Sequence, residues 1–298
     1  MTLRCSFARR HLFGIFTQTI WEIAMPRVLT DAQLRAYQQD GFVSPLDCIS
    51  AEEAASYFRI IEEYEKSHGE DVSKNIRVRA VLAFKWMIDL ARHPQIAGAL
   101  QDAIGPNVML FLSGVWSKRA GTDTFVSWHQ DGAYNPFDRN NGATAWIGLT
   151  DSTPEKGNIR SIPGSHREVI PHEERYDEDN ILSRGQSVPE VDVSKAVDMP
   201  LKAGQFSIHH ELLVHGSAPN MTDSRRLGIS FACVPAEAKP LSGPNTGVLI
   251  AGDNHPGHWV LNKEPAFDLD PVGLAELKTV QDAYRDPEAT KLITEVFG

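Results

Sequence analysis

The chain has 298 residues, 42% hydrophobic and 23% charged, with a formal net charge of −10. The length allows one large domain or two small ones with a sizeable core. The charge argues against a surface built for nucleic acid or an anionic membrane, no apolar run is long enough to span a bilayer, and Cys5, Cys48 and Cys233 are too scattered for a disulfide framework or a zinc knuckle. A reducing, cytoplasmic setting is therefore expected, and oligomeric state is left open.

Residues 1–25 read as an N-terminal extension. Arg4, Arg9 and Arg10 precede an apolar patch, Leu12 to Ile15, and Met25 precedes a conventional-looking start. A targeting segment and a start upstream of Met25 both stay open. Thr30-Asp31-Ala32-Gln33 is a capping box and predicts a helix to about Gln39, ended by Asp40-Gly41. Phe42-Val43 opens a short strand. Ser50-Ala51-Glu52-Glu53 is a second capping box, followed by helically spaced Ala54, Tyr57, Phe58, Ile61 and Tyr64, with Gly69 as the stop. Two more helices are predicted over 80–92 and from Pro94 to Ile104. Residues 30–106 thus read as a helical jacket.

The pattern changes at Asn107. Strands are predicted at 108–112 and 115–118, 124–131, 143–149, 197–201, 205–209, 212–215, 226–234 and 247–251, with Arg160-Ser161-Ile162 leading into Pro163-Gly164-Ser165-His166. Residues 167–190 are acidic and aperiodic, and read as a lid-like excursion. Helices are expected over 270–284 and 289–297, within C-terminal loops and helices spanning 236–298. The fold class is mainly β with flanking helices (α+β): one domain, a jelly-roll core over 107–235 jacketed by N- and C-terminal helices.

Trp128-His129-Gln130-Asp131 carries the chemistry. On a strand, His129 and Asp131 point the same way. Such a pair needs a third metal ligand, and the later candidates are His209, His210 and His215. His210-Glu211-Leu212-Leu213-Val214-His215 is not a zinc-protease helix: its histidines are five apart, or about 140° around a helix. His209 and His215 share a face only if the intervening turn allows it. His215 is favoured by Gly216-Ser217-Ala218-Pro219-Asn220 behind it and by Arg226, which opens a strand. An arginine there suits a bidentate grip on a carboxylate. Two histidines and one carboxylate leave three open positions, the facial triad of non-haem Fe(II) oxygenases.

Ser127-Trp128-His129-Gln130-Asp131-Gly132, the run Gly157 to His166 ending Pro163-Gly164-Ser165-His166, and Lys202 to Ser217 with Asn220 and Arg226 together resemble the phytanoyl-CoA dioxygenase family of Fe(II)/2-oxoglutarate-dependent oxygenases. The resemblance covers roughly residues 30–235. It implies Fe(II) on His129, Asp131 and His215, and 2-oxoglutarate held by Arg226 and Ser217, with Trp146 flanking it and Lys118 nearby. Dioxygen is the co-reactant, and ascorbate a supporting reductant. Arg225 takes the place of Arg226 if the register slips by one, because strand alternation sends only one of them inward. Tyr134, Asn135 and Phe137 are candidates for the substrate pocket. His166 and His210 read as structural.

The resemblance implies hydroxylation of an unactivated C–H of a small molecule, giving succinate and CO2. Asp131 argues against halogenation, since halogenating relatives carry a small residue there. A cupin-like metalloenzyme without 2-oxoglutarate and a non-catalytic binding protein of the same fold are the alternatives. The acids of 167–190 suggest a small cationic or zwitterionic substrate over a CoA ester.

Overall fold

A computed structural model describes residues 28–284, apart from 134–136, 183–184 and 242–244. The N-terminal extension, the helix expected at 289–297, Tyr134 and Asn135 lie outside the described residues. In chain order the elements are α1 (Asp31–Asp40), β1 (Phe42–Asp47), α2 (Ala51–His68), α3 (Val72–Asn75), α4 (Lys85–Ala91), α5 (Pro94–Ile104), β2 (Val108–Lys118), β3 (Val126–His129), β4 (Ala143–Gly148), β5 (Ile159–Ser161), β6 (Glu173–Glu174), β7 (Gln186–Ser187), β8 (Val197–Met199), β9 (Gln205–His210), β10 (His215–Ser217), β11 (Arg226–Pro235), β12 (Thr246–Ala251), β13 (Val260–Leu261) and α6 (Pro271–Tyr284).

The helices begin where the caps predict. Thr30 Oγ1 accepts from the Gln33 amide, and the Gln33 side chain accepts from the Thr30 amide, closing the box. Ser50 caps α2 through the Glu53 amide. Gly41 and Gly69 end α1 and α2 in the left-handed conformation, which glycine adopts without a Cβ penalty. No helix among the described residues is long and apolar enough to cross a membrane.

The strands form a jelly roll. A seven-stranded sheet runs β1-β9-β4-β11-β2-β12-β13, and a four-stranded sheet runs β3-β10-β5-β8. The larger sheet reaches beyond 107–235, taking β1 from the N-terminal segment and β12 and β13 from the C-terminal one. Its centre is β11, buried along its whole length between β4 and β2. Alternation gives β11 two roles. Leu227, Ile229 and Phe231 enter the main core with Ile96 and Leu100 of α5. Arg226, Ser230 and Ala232 line the cavity on the other face.

Several predicted boundaries move. The helix expected at 80–92 is a 3-10 turn, Ala80–Leu82, followed by α4. The strand expected at 124–131 stops at His129, and Asp131–Ala133 is a 3-10 turn. The strand expected at 212–215 is mostly a turn, because the Leu213 amide bonds back to the His210 carbonyl and β10 starts only at His215. The 167–190 excursion carries a small β6–β7 hairpin. It is stitched to β3 by the Val188 amide on the Trp128 carbonyl at 2.8 Å and by Ser127 Oγ on the Gln186 carbonyl at 2.8 Å.

Arg225, just before β11, faces outward and makes two bonds to Glu65 of α2, at 2.7 and 2.8 Å, with both side chains only 11% exposed. Removing one member of a nearly buried pair strands the other charge. Glu65→Ala should therefore lower the unfolding free energy by about 3 kcal/mol, read from the urea midpoint at unchanged m-value.

Candidate active site

His129 and His215 are direct cross-strand partners in β3 and β10, so their rings share the face of the small sheet turned to the large one. Each imidazole donates its Nδ1–H to a backbone carbonyl at 2.9 Å, His129 to Ser127 and His215 to Leu213. That fixes the tautomer and turns both Nε2 lone pairs inward. Asp131, two residues past the end of β3, reaches the same spot from its 3-10 turn, which the Gly132 amide holds on the Glu211 carbonyl. Asp131 Oδ1 lies 3.3 Å from His129 Nε2 and 3.8 Å from His215 Nε2, and a donor atom from each of the three residues falls within 4.8 Å of the others.

The electrostatics suit a cation. Burial pushes the Asp131 carboxyl up, but His215, His129 and His209 around it outweigh burial and hold it well below the usual carboxylate range. Burial, then the neighbouring His129, hold the His215 imidazole down to about 3, so it is neutral at physiological pH. An ionised carboxylate and imidazole lone pairs facing one point are the donor set of a non-haem Fe(II) site.

The large sheet supplies the opposite wall. Lys118 and Arg226 sit directly across from each other in β2 and β11, with exposures of 0% and 3%. Like charges in opposed positions repel, and among the described residues neither has an acid within ion-pair range. Lys118 Nζ donates to Ser217 Oγ at 2.6 Å and to the Ala218 carbonyl. Burial, then the charge of Arg226, hold its amine down to about 6. The Arg226 guanidinium lies over the Trp146 ring, 4.6 Å from its centroid, and among the described residues its Nε has no hydrogen-bond partner. Gly228 makes room for that indole: a Cβ there would fall 2.1 Å from it. A buried guanidinium, a lysine amine, a hydroxyl and an aromatic floor make a pocket for a carboxylate.

The triad, Arg226 and Ser217 line one cavity of about 160 Å³, and Lys118 stands behind Ser217, bonded to its Oγ. Arg226 points into it, whereas Arg225 is engaged with Glu65 outside. Phe137 is not among the lining residues: it packs edge-on to Phe111, which is, with ring centroids 4.9 Å apart. The rest of the wall is largely apolar, with Phe111, Leu112, Val126, Ile159, Ile181 and Leu182. Ile181 and Leu182 are what the 167–190 excursion contributes. Its Glu168, Glu173, Glu174, Asp177, Glu178 and Glu190 are exposed to solvent. The cationic or zwitterionic preference expected from those acids is thus corrected, because acids facing bulk water do not set the field inside the cavity.

Thr144 and Gln130 escape sequence reasoning, and His209, a candidate third ligand from the sequence, takes a supporting place instead. Thr144 Oγ1 donates to Asp131 Oδ2 at 2.8 Å. His209 Nε2 stands 3.4 Å from the same oxygen. Gln130, fully buried, staples the metal turn to the excursion, donating to the Glu168 and Leu212 carbonyls and accepting from the Ile170 amide. Their partners are distant in sequence, so no local pattern announces them.

Comparison with known proteins agrees with this geometry. The family model described as phytanoyl-CoA dioxygenase (PhyH) matches residues 37–228. A "probable alpha-ketoglutarate-dependent hypophosphite dioxygenase" from Stutzerimonas stutzeri is 26% identical over 236 residues, 71% of this chain and 80% of the relative. The peroxisomal phytanoyl-CoA dioxygenase of Rattus norvegicus is 25% identical over 244 residues, 74% of this chain and 72% of the relative. A solved structure of the non-heme monooxygenase ThoJ in its apo form superposes with a TM-score of 0.75 at 25% identity, covering 88% of this chain and 98% of that one. Family match, fold and inward-facing triad converge: this chain belongs to the phytanoyl-CoA dioxygenase family.

Proposed function

We propose that the protein is an Fe(II)/2-oxoglutarate-dependent dioxygenase that hydroxylates a small, largely apolar molecule. The observation that carries this is Arg226, buried with no acid in ion-pair range among the described residues and lining the cavity of the His129–Asp131–His215 triad, with Lys118 opposite it in the sheet and bonded to Ser217 of the same cavity. His129, Asp131 and His215 would hold the iron. Arg226, Lys118 and Ser217 would grip the distal carboxylate of 2-oxoglutarate, with Trp146 beneath the guanidinium. When bound, Fe(II) with 2-oxoglutarate and dioxygen supplies the oxidising chemistry, the keto acid leaving as succinate and CO2 while one substrate C–H becomes C–OH.

The chain's own residues bind, orient and exclude water. Arg226 offers a planar fork to a carboxylate, and Lys118 a point charge beside it. Ser217 Oγ, already accepting from Lys118, keeps its own proton to donate. The apolar wall from β2, β3, β5 and the excursion keeps water off the reacting C–H. Asp131 supports hydroxylation over halogenation, because its carboxylate fills the place a halide would need. A metalloenzyme without 2-oxoglutarate would have no use for a buried arginine facing this cavity with no acid in ion-pair range among the described residues. Hypophosphite, named for one relative, suits the apolar wall poorly, which favours an aliphatic or aromatic body.

Anaerobic addition of Fe(II) and 2-oxoglutarate should raise a weak visible charge-transfer band, and air should then yield succinate. Neither signal appearing would overturn the proposal. Arg226→Ala should weaken 2-oxoglutarate binding about 10- to 100-fold, the worth of a charged hydrogen-bonding group. Arg225→Ala should change it by less than about 3-fold while lowering stability; equal effects would refute the assignment.

Lys118 adds a pH signature. Its amine is held down to about 6 in the free protein, and a bound carboxylate favours the ammonium form. Binding above that pH should therefore take up a proton, and affinity should fall as pH rises from about 6 toward the higher value of the complex. Calorimetry in buffers of different ionisation heat measures the uptake. Lys118→Met should abolish it and flatten the pH dependence.

A further inference from the structure

We propose that His209 is a positioning residue which, with Thr144, holds Asp131 Oδ2 and so restricts Asp131 to bind metal through Oδ1 alone. This rests on the metal reading above but assigns a residue that the triad does not contain.

The two oxygens of Asp131 have separate surroundings. Oδ1 is the one near His129 Nε2 and His215 Nε2, at 3.3 and 3.8 Å. Oδ2 faces the large sheet instead, with Thr144 Oγ1 at 2.8 Å and His209 Nε2 at 3.4 Å. Thr144 and His209 are direct partners in β4 and β9, so the register that sets one sets the other. His209 is 1% exposed, its ring lies 4.6 Å from that of His215, and among the described residues neither of its nitrogens makes a formal hydrogen bond, which leaves the 3.4 Å approach of Nε2 to Oδ2 as its available bond. A buried imidazole with no other bond is costly, and donating Nε2–H to Oδ2 offsets that cost.

The consequence is a coordination count. Three protein donor atoms on an octahedral ion leave three positions, two for a chelating keto acid and one for dioxygen. A second carboxylate oxygen would take one of them. Two donors on Oδ2 tie it to the large sheet, which keeps the count at three.

Titration with Co(II), followed by its visible d–d absorption with and without 2-oxoglutarate, tests the assignment without turnover. His209→Phe keeps the ring volume and removes the donor. It should weaken Co(II) about 10-fold, the lower end for partners that orient a metal ligand, and lower the absorption intensity as a second carboxylate oxygen enters. His209→Gln, whose amide reaches as far as Nε2, should recover wild-type affinity to within about 3-fold. His209→Asn carries the same amide one methylene shorter and should stay weak, which keeps the test decisive if the Phe variant does not fold. Equal affinity and spectra for wild type and His209→Phe, or equal affinity for the Gln and Asn variants, would overturn the proposal. A loss beyond about 1000-fold in His209→Phe would also overturn it, since that magnitude belongs to a direct ligand rather than to a supporting partner. A wild type that binds no Co(II) would instead overturn the metal reading itself.

Discussion

Lys118 and Arg226 are held face to face at the ends of two central strands of the large sheet, out of water and, among the described residues, with no acid in ion-pair range. Burying the guanidinium is unfavourable, and burial together with Arg226 disfavours the charged form of the Lys118 amine. The fold tolerates them because β2 and β11 are locked on their other face. There Leu227, Ile229 and Phe231 pack into the main core, while Arg225 is clasped by Glu65 of α2. The outward arginine fixes the phase of the strand and thereby turns Arg226 inward. Stability invested in the outer face thus permits a strained charge arrangement on the inner one, a division common where a site must wait for a charged ligand.

The metal triad depends on the same logic of opposed sheets. Its two histidines come from neighbouring strands of the small sheet, and backbone carbonyls orient their rings. The carboxylate bridges the gap, one oxygen toward the histidines and the other toward Thr144 and His209 on the large sheet. Its anchoring from both sides needs a residue just beyond a strand end, where the backbone is free to turn. Asp131 occupies such a turn, and Gln130 secures it by bonding the chain on either side of the site.

The excursion between β5 and β8 links the fold to selectivity. Its composition is acidic, yet its acids remain in solvent and only Ile181 and Leu182 enter the wall. Composition reports the side of a segment that faces water, whereas a cavity is shaped by the few residues on the other side. The apolar wall and the charged floor divide the cavity between a body that needs no ionic partner and a cosubstrate that does.

The sequence alone determined the local elements and the metal motif. Capping boxes at Thr30 and Ser50 set helix starts, alternation set most strands, and His129, Asp131, His215 and Arg226 stood out by residue type and order. These signals are legible because they act over a few residues. Tertiary structure decided what depends on register between distant strands. It set His209 beside Asp131, Thr144 on the second carboxylate oxygen, Lys118 opposite Arg226, and Phe137 behind Phe111 instead of in the wall. It also decided that Asp131 leaves the strand before it reaches the site. A one-residue slip of any strand reverses which side chains face the cavity, and that register comes from packing across the whole sheet, which no single stretch of sequence contains.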